Sequence, residues 1–290
     1  MAIKSVFIVG AGLMGSGIAQ VCAQSGINVI LHDISQEAVK KGLDTIAWSV
    51  SKFFEKGKIT EDKDTVLNRI SATDDFSKAA DSDLAIEVVF ENIELKQAIF
   101  KKLDEFCQPN AIIASNTSAI PITELASITK RPEKVLGIHF FSPVPMMPVA
   151  EVIRGISTTE ETILSVIDFV RSIGKEPIRV ESDVAGFLLN RINFPSTIEA
   201  IHLVEQGIGT VEDIDKGMKL AFGRRMGPFE TGDMVGLDVT YGALMACYEE
   251  TKDQRFYPPQ LLRRKVKAGH LGRKTGEGWY EYNENGTRKA

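Results

Sequence analysis

The chain has 290 residues, 43% of them hydrophobic and 25% charged, with a net charge of −5. That length and balance describe a globular protein large enough for two domains. The acidic balance, with no basic block, excludes a nucleic-acid surface. No stretch reads as a signal peptide or membrane span, so a cytoplasmic protein without membrane partners is expected. The three cysteines, Cys22, Cys107 and Cys247, stand singly and offer neither a disulfide framework nor metal-ligand spacing. They read as buried thiols in a reducing compartment, and no metal is expected.

Residues 3–9 (IKSVFIV) predict a short buried strand. A glycine turn follows, then a helix over 13–25 and a strand over 28–33 (NVILHD). This is a βαβ unit, which implies parallel strands joined by a right-handed crossover. Residues 35–57 read as a long amphipathic helix running into an exposed, lysine-bearing turn. Further strands are expected at 84–89, 111–115, 135–141, 149–153 and 176–180, with helices between most of them, notably 91–106 and 160–173. Alternation of this kind makes a doubly wound α/β domain.

Beyond about residue 185 the period turns helical, with helices expected from 186 and at 211–222, 238–250 and 258–269. The fold class is therefore a Rossmann-like doubly wound sheet over 1–185, followed by an all-helical C-terminal domain over 186–290. That second segment is thin. Its apolar positions Leu188, Ile192, Ile198, Ile201, Leu203, Leu244 and Met245 call for a partner surface, and a homodimer through this region is expected.

Gly10, Gly12 and Gly15 stand in G-x-G-x-x-G spacing directly after a strand and at the start of a helix. The first glycine permits the tight turn, the second lets the backbone approach a pyrophosphate, and the third lets helix and strand pack closely. The turn, with Leu13 and Met14, then offers the helix N-terminus to phosphates. Gly17 reads as a further close-packing position. Asp33 ends the second strand, 23 residues after Gly10, where an acid accepts a hydrogen bond from the ribose 2′-hydroxyl. A carboxylate there repels a 2′-phosphate, so the expected cofactor is NAD. The alternatives are a glycine turn with no ligand, and Asp33 or Ser35 acting as a helix cap.

The stretch GIHFFSPVPMMPVAEVI places His139 on one strand and Glu151 on the next, either side of a proline-rich bend. If those strands pair antiparallel about Pro145, the two side chains lie opposite each other. A carboxylate beside an imidazole fixes its tautomer and stabilises its protonated form, as an oriented general base requires. A structural histidine satisfied by its neighbour fits the same pattern.

The motifs GAGLMGSGIAQ, EVVFENIELKQAIFKKLD, ASNTSAIPIT, HFFSPVP…VAEVI, GFLLNRI, MGPFETGDMVGLD and LGRKTGEGWYEY resemble, in order, those of the short-chain L-3-hydroxyacyl-CoA dehydrogenase family. The likeness runs over nearly the whole chain and is greatest to bacterial 3-hydroxybutyryl-CoA dehydrogenases. It implies NAD-dependent oxidation of (S)-3-hydroxyacyl-CoA, with His139 as base and Glu151 as its orienting carboxylate. It also implies that Ser118 and Asn190 hydrogen-bond the substrate oxygen, and that Glu91, Lys96 and Lys274 contact the cofactor. Read without the resemblance, these last three are solvated surface charges. Where the family usually has HFFNP this chain has Ser142, at a position near nicotinamide and substrate. An acyl-CoA also needs cations for its phosphates; the segment SKFFEKGKI supplies Lys52, Lys56 and Lys58, and within that segment Ser51 and Lys58 are the best candidates. Two alternatives remain at this point: an L-gulonate 3-dehydrogenase-like sugar-acid oxidoreductase on the same scaffold, and a non-catalytic NAD(H)-binding protein.

Overall fold

Parallel strands covered on both faces need unbroken apolar runs, and the first half of the chain supplies them. In a computed structural model, which describes residues 2–289, the chain divides between Val184 and Ala185 into two units. The first unit contains β1 (Ser5–Val9), α1 (Leu13–Gln24), β2 (Asn28–His32), α2 (Gln36–Glu55), α3 (Lys63–Leu67), β3 (Ile70–Thr73) and β4 (Leu84–Glu87). It continues through α4 (Ile93–Phe106), β5 (Ile112–Ser115), α5 (Ile122–Ala126), β6 (Val135–Phe140), β7 (Val149–Arg154), α6 (Glu160–Ser172) and β8 (Glu176–Val180).

All eight strands form one sheet in the order β3-β2-β1-β4-β5-β6-β7-β8. Strands β1 to β6 are mutually parallel, β7 runs antiparallel to β6, and β8 runs parallel to β7. The strand order reverses between β1 and β4, which creates the crevice at their C-terminal ends where doubly wound sheets bind ligands. The expected antiparallel pairing about Pro145 is present, and its register sets His139 opposite Glu151.

Several boundaries differ from the sequence reading, each for a local reason. Strand β3 was not anticipated: it is a short edge strand with exposed Ser71 and Ala72, so it carries no burial pattern to read. Strand β4 stops at Glu87 rather than 89, because the Glu87 carboxylate accepts the Val89 N–H and turns the chain. Helix α4 starts at Ile93 rather than 91, since Asn92 caps it by accepting from the Leu95 N–H. Ser35 caps α2 in the same way, through the Ala38 N–H.

The glycine turn is a site of backbone convergence. Gly10 has φ +113°, and a Cβ there would lie 2.7 Å from the Val88 carbonyl oxygen; a Cβ on Gly15 would lie 1.8 Å from the Gly10 carbonyl oxygen. Gly17 presses α1 against the bend between β6 and β7, where its Cβ would come within 2.9 Å of Val144 Cβ. The three cysteines are buried free thiols. Burial pushes Cys22 up to about 12 and Cys107 and Cys247 up to about 11, so they are inert as nucleophiles.

The second unit comprises α7 (Leu189–Glu205), α8 (Val211–Phe222), α9 (Pro228–Val235), α10 (Leu237–Thr251) and α11 (Gln260–Ala268). Two buried acids organise it. Asp233 accepts from the N–H groups of Trp279 and Tyr280 and from the Tyr282 hydroxyl, at 2.8–2.9 Å. Asp215 accepts from Phe229 N–H, Glu230 N–H and the Tyr280 hydroxyl. The MGPFETGDMVGLD and LGRKTGEGWYEY motifs are thus tied together by a carboxylate. Burial holds both acids above the usual carboxylate range despite these bonds. The apolar face expected to need a partner divides: Ile198, Ile201 and Leu244 join the unit's own core, Leu203 and Met245 are half-buried, and Leu188 and Ile192 are exposed. Exposed with them, though not anticipated, are Ile208, Leu220 and Phe222. Among the described residues no helix is long and apolar enough to cross a membrane.

The convergence at Gly15 makes a sharp prediction. Gly15→Ala drives a methyl into backbone that has no room to yield, so its cost should exceed the ~1–3 kcal/mol of ordinary overpacking. Gly12→Ala, whose Cβ would meet nothing within 4 Å, should leave Tm near that of the unsubstituted chain. Thermal unfolding of the two variants side by side checks both outcomes.

Candidate active site

Helix α1 begins with Gly12 as its N-cap, a residue with no side chain to occupy the N–H groups of the first turn. Since no protein atom lies near its missing Cβ, internal packing does not explain a glycine there. The open backbone leaves room for an external group, and the positive end of the helix favours an anion. Leu13 is exposed over this turn and Met14 packs inward against the core. Asp33, at the end of β2, is held beside the turn: one carboxylate oxygen accepts the Ala11 N–H at 2.9 Å and the other the Ser35 N–H at 3.1 Å. The helix cap is Ser35, so Asp33 is left at the crevice edge with its charge. Ile34 and Phe90, which follow β2 and β4 at the same edge of the sheet, are almost fully exposed at 90% and 86%. Sequence reading missed both. His32, beside Asp33, points elsewhere: it is buried against Phe7 and Phe76.

The next strand ends carry a polar network. Glu87, fully buried at the end of β4, accepts from Lys96 Nζ and from Ser115 Oγ, each at 2.7 Å. Lys96 Nζ also lies 3.3 Å from both the Val89 carbonyl oxygen and a Glu91 carboxylate oxygen. Glu91 accepts from the Thr117 hydroxyl and from the N–H groups of Ser118 (3.1 Å) and Ala119 (3.2 Å). Ser118 is half-buried, on the loop after β5, and the neighbouring Asn116 ties that loop to β6 by accepting the Phe140 N–H at 2.9 Å. The reading of Lys96 as a solvated surface charge is corrected here: it is 1% exposed and ion-paired. It lies on the same face of α4 as the buried Phe100 and Leu103, and that helical spacing was the available signal. The signal for Glu87 was an acid inside the apolar run LAIEVV.

Farther along the sheet, His139 Nδ1 lies 2.7 Å from Glu151 Oε2, with both residues buried. With the carboxylate ionised, Nδ1 donates and the lone pair resides on Nε2, the arrangement of an oriented base. The Phe141 ring lies 4.5 Å from the imidazole, centroid to centroid, and is tilted 55° to it. Ser142 precedes Pro143 by a cis peptide and opens the bend that joins the two strands. That bend is held by Lys175, which sequence reading missed: its buried ammonium donates to the carbonyls of Val144 (2.7 Å) and Met147 (2.6 Å). Burial holds the ammonium below the ordinary lysine range.

The remaining candidates lie apart from these groups in the chain. Ser51 sits in the last turns of α2, and Lys58 follows it with its ammonium over the Phe53 ring. Asn190 is the second residue of α7 in the second unit, preceded by Gly186 and Phe187, both at positive φ. Lys274, also in the second unit, is exposed and ion-paired with Asp238 at 2.6 Å. Among the described residues no group of three or more His, Cys, Asp or Glu could hold a metal ion.

A doubly wound sheet with a glycine turn, an acid at the end of β2 and a carboxylate-oriented histidine defines an NAD-dependent dehydrogenase. The comparisons narrow the class. Residues 5–184 match the profile of the 3-hydroxyacyl-CoA dehydrogenase NAD-binding domain, and residues 186–282 match that of the 3-hydroxyacyl-CoA dehydrogenase C-terminal domain. The chain belongs to the 3-hydroxyacyl-CoA dehydrogenase family. It is 43% identical over 285 residues to a probable 3-hydroxybutyryl-CoA dehydrogenase of Bacillus subtilis, covering 98% of this chain and 99% of that one. A 3-hydroxybutyryl-CoA dehydrogenase of Bradyrhizobium diazoefficiens is 43% identical over 281 residues, covering 97% and 96%. The crystal structure of (S)-3-hydroxybutyryl-CoA dehydrogenase from Ralstonia eutropha superposes with a TM-score of 0.91 at 43% identity, covering 98% of this chain and all of that one.

The buried ion pair gives the site's own prediction. Lys96→Met removes the cation and strands the Glu87 carboxylate in the interior, which should cost about 3–5 kcal/mol of stability. Urea unfolding at neutral pH measures it.

Proposed function

We propose that the protein oxidises (S)-3-hydroxybutyryl-CoA and related short-chain (S)-3-hydroxyacyl-CoA esters to 3-ketoacyl-CoA, reversibly and with NAD. The observation that carries this reading is the His139–Glu151 pair at 2.7 Å, in the unit that bears the glycine turn. Gly10, Gly12, Leu13, Met14 and Gly15 are assigned to the pyrophosphate, and Asp33 to the ribose hydroxyl, which favours NAD over its 2′-phosphorylated form. Glu91, Lys96, Ser142 and Lys274 are assigned to the remainder of the cofactor. When bound, NAD accepts the hydride that leaves C3 of the substrate.

His139 Nε2 takes the proton of the 3-hydroxyl group. Glu151 keeps the imidazole in the correct tautomer and stabilises the imidazolium that forms. Ser118 and Asn190 hydrogen-bond the substrate oxygen as it becomes a carbonyl, and Ser51 and Lys58 hold the CoA phosphates. The products are the ketone, a proton on His139 and reduced cofactor. A sugar acid has no use for Ser51 and Lys58, and a non-catalytic sensor has no use for a buried acid–base pair. We assign the chain to the cytoplasm as a homodimer. Leu188, Ile192, Ile208, Leu220 and Phe222 are exposed on the second unit, as a protein–protein surface requires.

The test follows NADH absorbance with acetoacetyl-CoA, longer 3-ketoacyl-CoA esters and a sugar acid. Turnover confined to the sugar acid would overturn the reading. Glu151→Gln keeps the shape of the side chain and removes its charge. In the folded variant kcat should fall by roughly 10²–10⁴, the range of a positioned acid–base element. KM should change little, because the charge matters mainly in the transition state.

The dimer is checked separately by light scattering. A dimer mass is expected at micromolar concentration. Replacing Ile192 and Phe222 together with polar residues should shift the mass toward the monomer.

A further inference from the structure

We propose that Glu87 is a positioning residue for Ser118, steering the loop that presents it through two independent arms. The first arm is short. Ser115 Oγ donates to Glu87 Oε2 at 2.7 Å and accepts the Thr117 N–H at 3.1 Å. The second arm is ionic: Glu87 Oε1 holds Lys96 Nζ at 2.7 Å, and Lys96 lies 3.3 Å from Glu91 Oε2. Glu91 Oε1 in turn gathers the Thr117 hydroxyl and the N–H groups of Ser118 and Ala119. The two arms leave one buried carboxylate and meet again on consecutive residues of one loop. Together they close a ring around the backbone of residues 115–119.

Energetics argue that this ring has a purpose beyond filling space. A buried carboxylate and ammonium cost several kcal/mol each in desolvation, and apolar residues of the same volume are often as stable or more so. Directional bonds supply what apolar packing lacks, a fixed orientation for a loop with no regular secondary structure. Glu87 itself sits on a central strand of the sheet, between β1 and β5, so it is a rigid post for both arms. A residue that orients a reacting group in this way is part of the supporting shell on which active-site geometry depends.

The inference rests on the proposed contact of Ser118 with the substrate oxygen, and a double-mutant cycle separates the two. Glu87→Gln, nearly isosteric, is made in the unsubstituted chain and in Ser118→Ala, and kcat, KM and Tm are measured for all four proteins. Glu87→Gln alone should lower kcat about tenfold, the coupling typical of residues in one hydrogen-bond network. In the Ser118→Ala chain the same change should lower kcat less than about twofold, since there is no hydroxyl left to orient. A purely structural Glu87 would lower Tm and reduce kcat by the same factor in both backgrounds, which would overturn the proposal. So would a folded Glu87→Gln with unaltered kcat. If Glu87→Gln does not fold, Ser115→Ala severs one arm without disturbing the ion pair, and the same pattern of coupling is expected with a smaller loss. Should Ser118→Ala alone leave kcat unchanged, the role of Ser118 falls and this inference falls with it. A loss in Ser118→Ala that is merely additive with Glu87→Gln overturns the inference alone.

Discussion

The close approach of the chain to itself at the end of β1 governs the first unit. With Gly15 against the Gly10 carbonyl and Gly10 against the Val88 carbonyl, α1, β1 and the segment after β4 meet with no side chain between them. This contact directs the N-terminus of α1 over the crevice at the strand reversal. It also brings the strand ends that carry Asp33, Glu87 and Glu91 to one edge of the sheet. Bulk at any of these points would part helix from sheet and open the edge on which the candidate cofactor residues lie. Gly12 differs from its neighbours, because no protein atom lies within 4 Å of the position its Cβ would take.

Two kinds of buried charge serve the candidate site in different ways. Glu87 and Lys96 form an ion pair whose bonds reach outward to a loop. Lys175 is bonded instead to two backbone carbonyls, and clamps the bend between β6 and β7. Both lock segments that lack regular secondary structure, where apolar contact alone leaves many conformations of similar energy. The regular elements need no such device, and their interiors are correspondingly apolar.

What could be read in the sequence, and what could not, follows from range. The βαβ unit, the glycine turn and the long strands were legible, because hydrophobic period and glycine spacing are local signals. The His139–Glu151 register was legible too, since a hairpin converts sequence distance into spatial distance by simple counting. Strand β3 was not, because an exposed edge strand has no buried face to betray it. The Glu87 ring was missed because its members lie up to 32 residues apart, from β4 through the turn that carries Glu91 and α4 to the end of β5 and the loop after it, and the pairing of β4 with β5 brings the two ends together. Lys96 was half legible: between Leu95 and Gln97 a lysine reads as surface, while its spacing to Phe100 and Leu103 places it on the buried face of α4. The apolar residues Ile34 and Phe90 were silent for the opposite reason, since both are almost fully exposed and belong to no buried face.

The hairpin of β6 and β7 separates two properties that active sites often entangle. Opposition of His139 and Glu151 is a matter of parity and register along two hydrogen-bonded strands, which depends on the length of the connecting bend rather than on what its side chains touch. The bend therefore behaves as an interchangeable fitting mounted on a fixed frame. Ser142 stands in that bend where the resemblance leads to the expectation of asparagine, and the opposition of imidazole and carboxylate is present all the same. Evolution can retune what the bend touches without renegotiating the acid–base pair, provided that the strands keep their count.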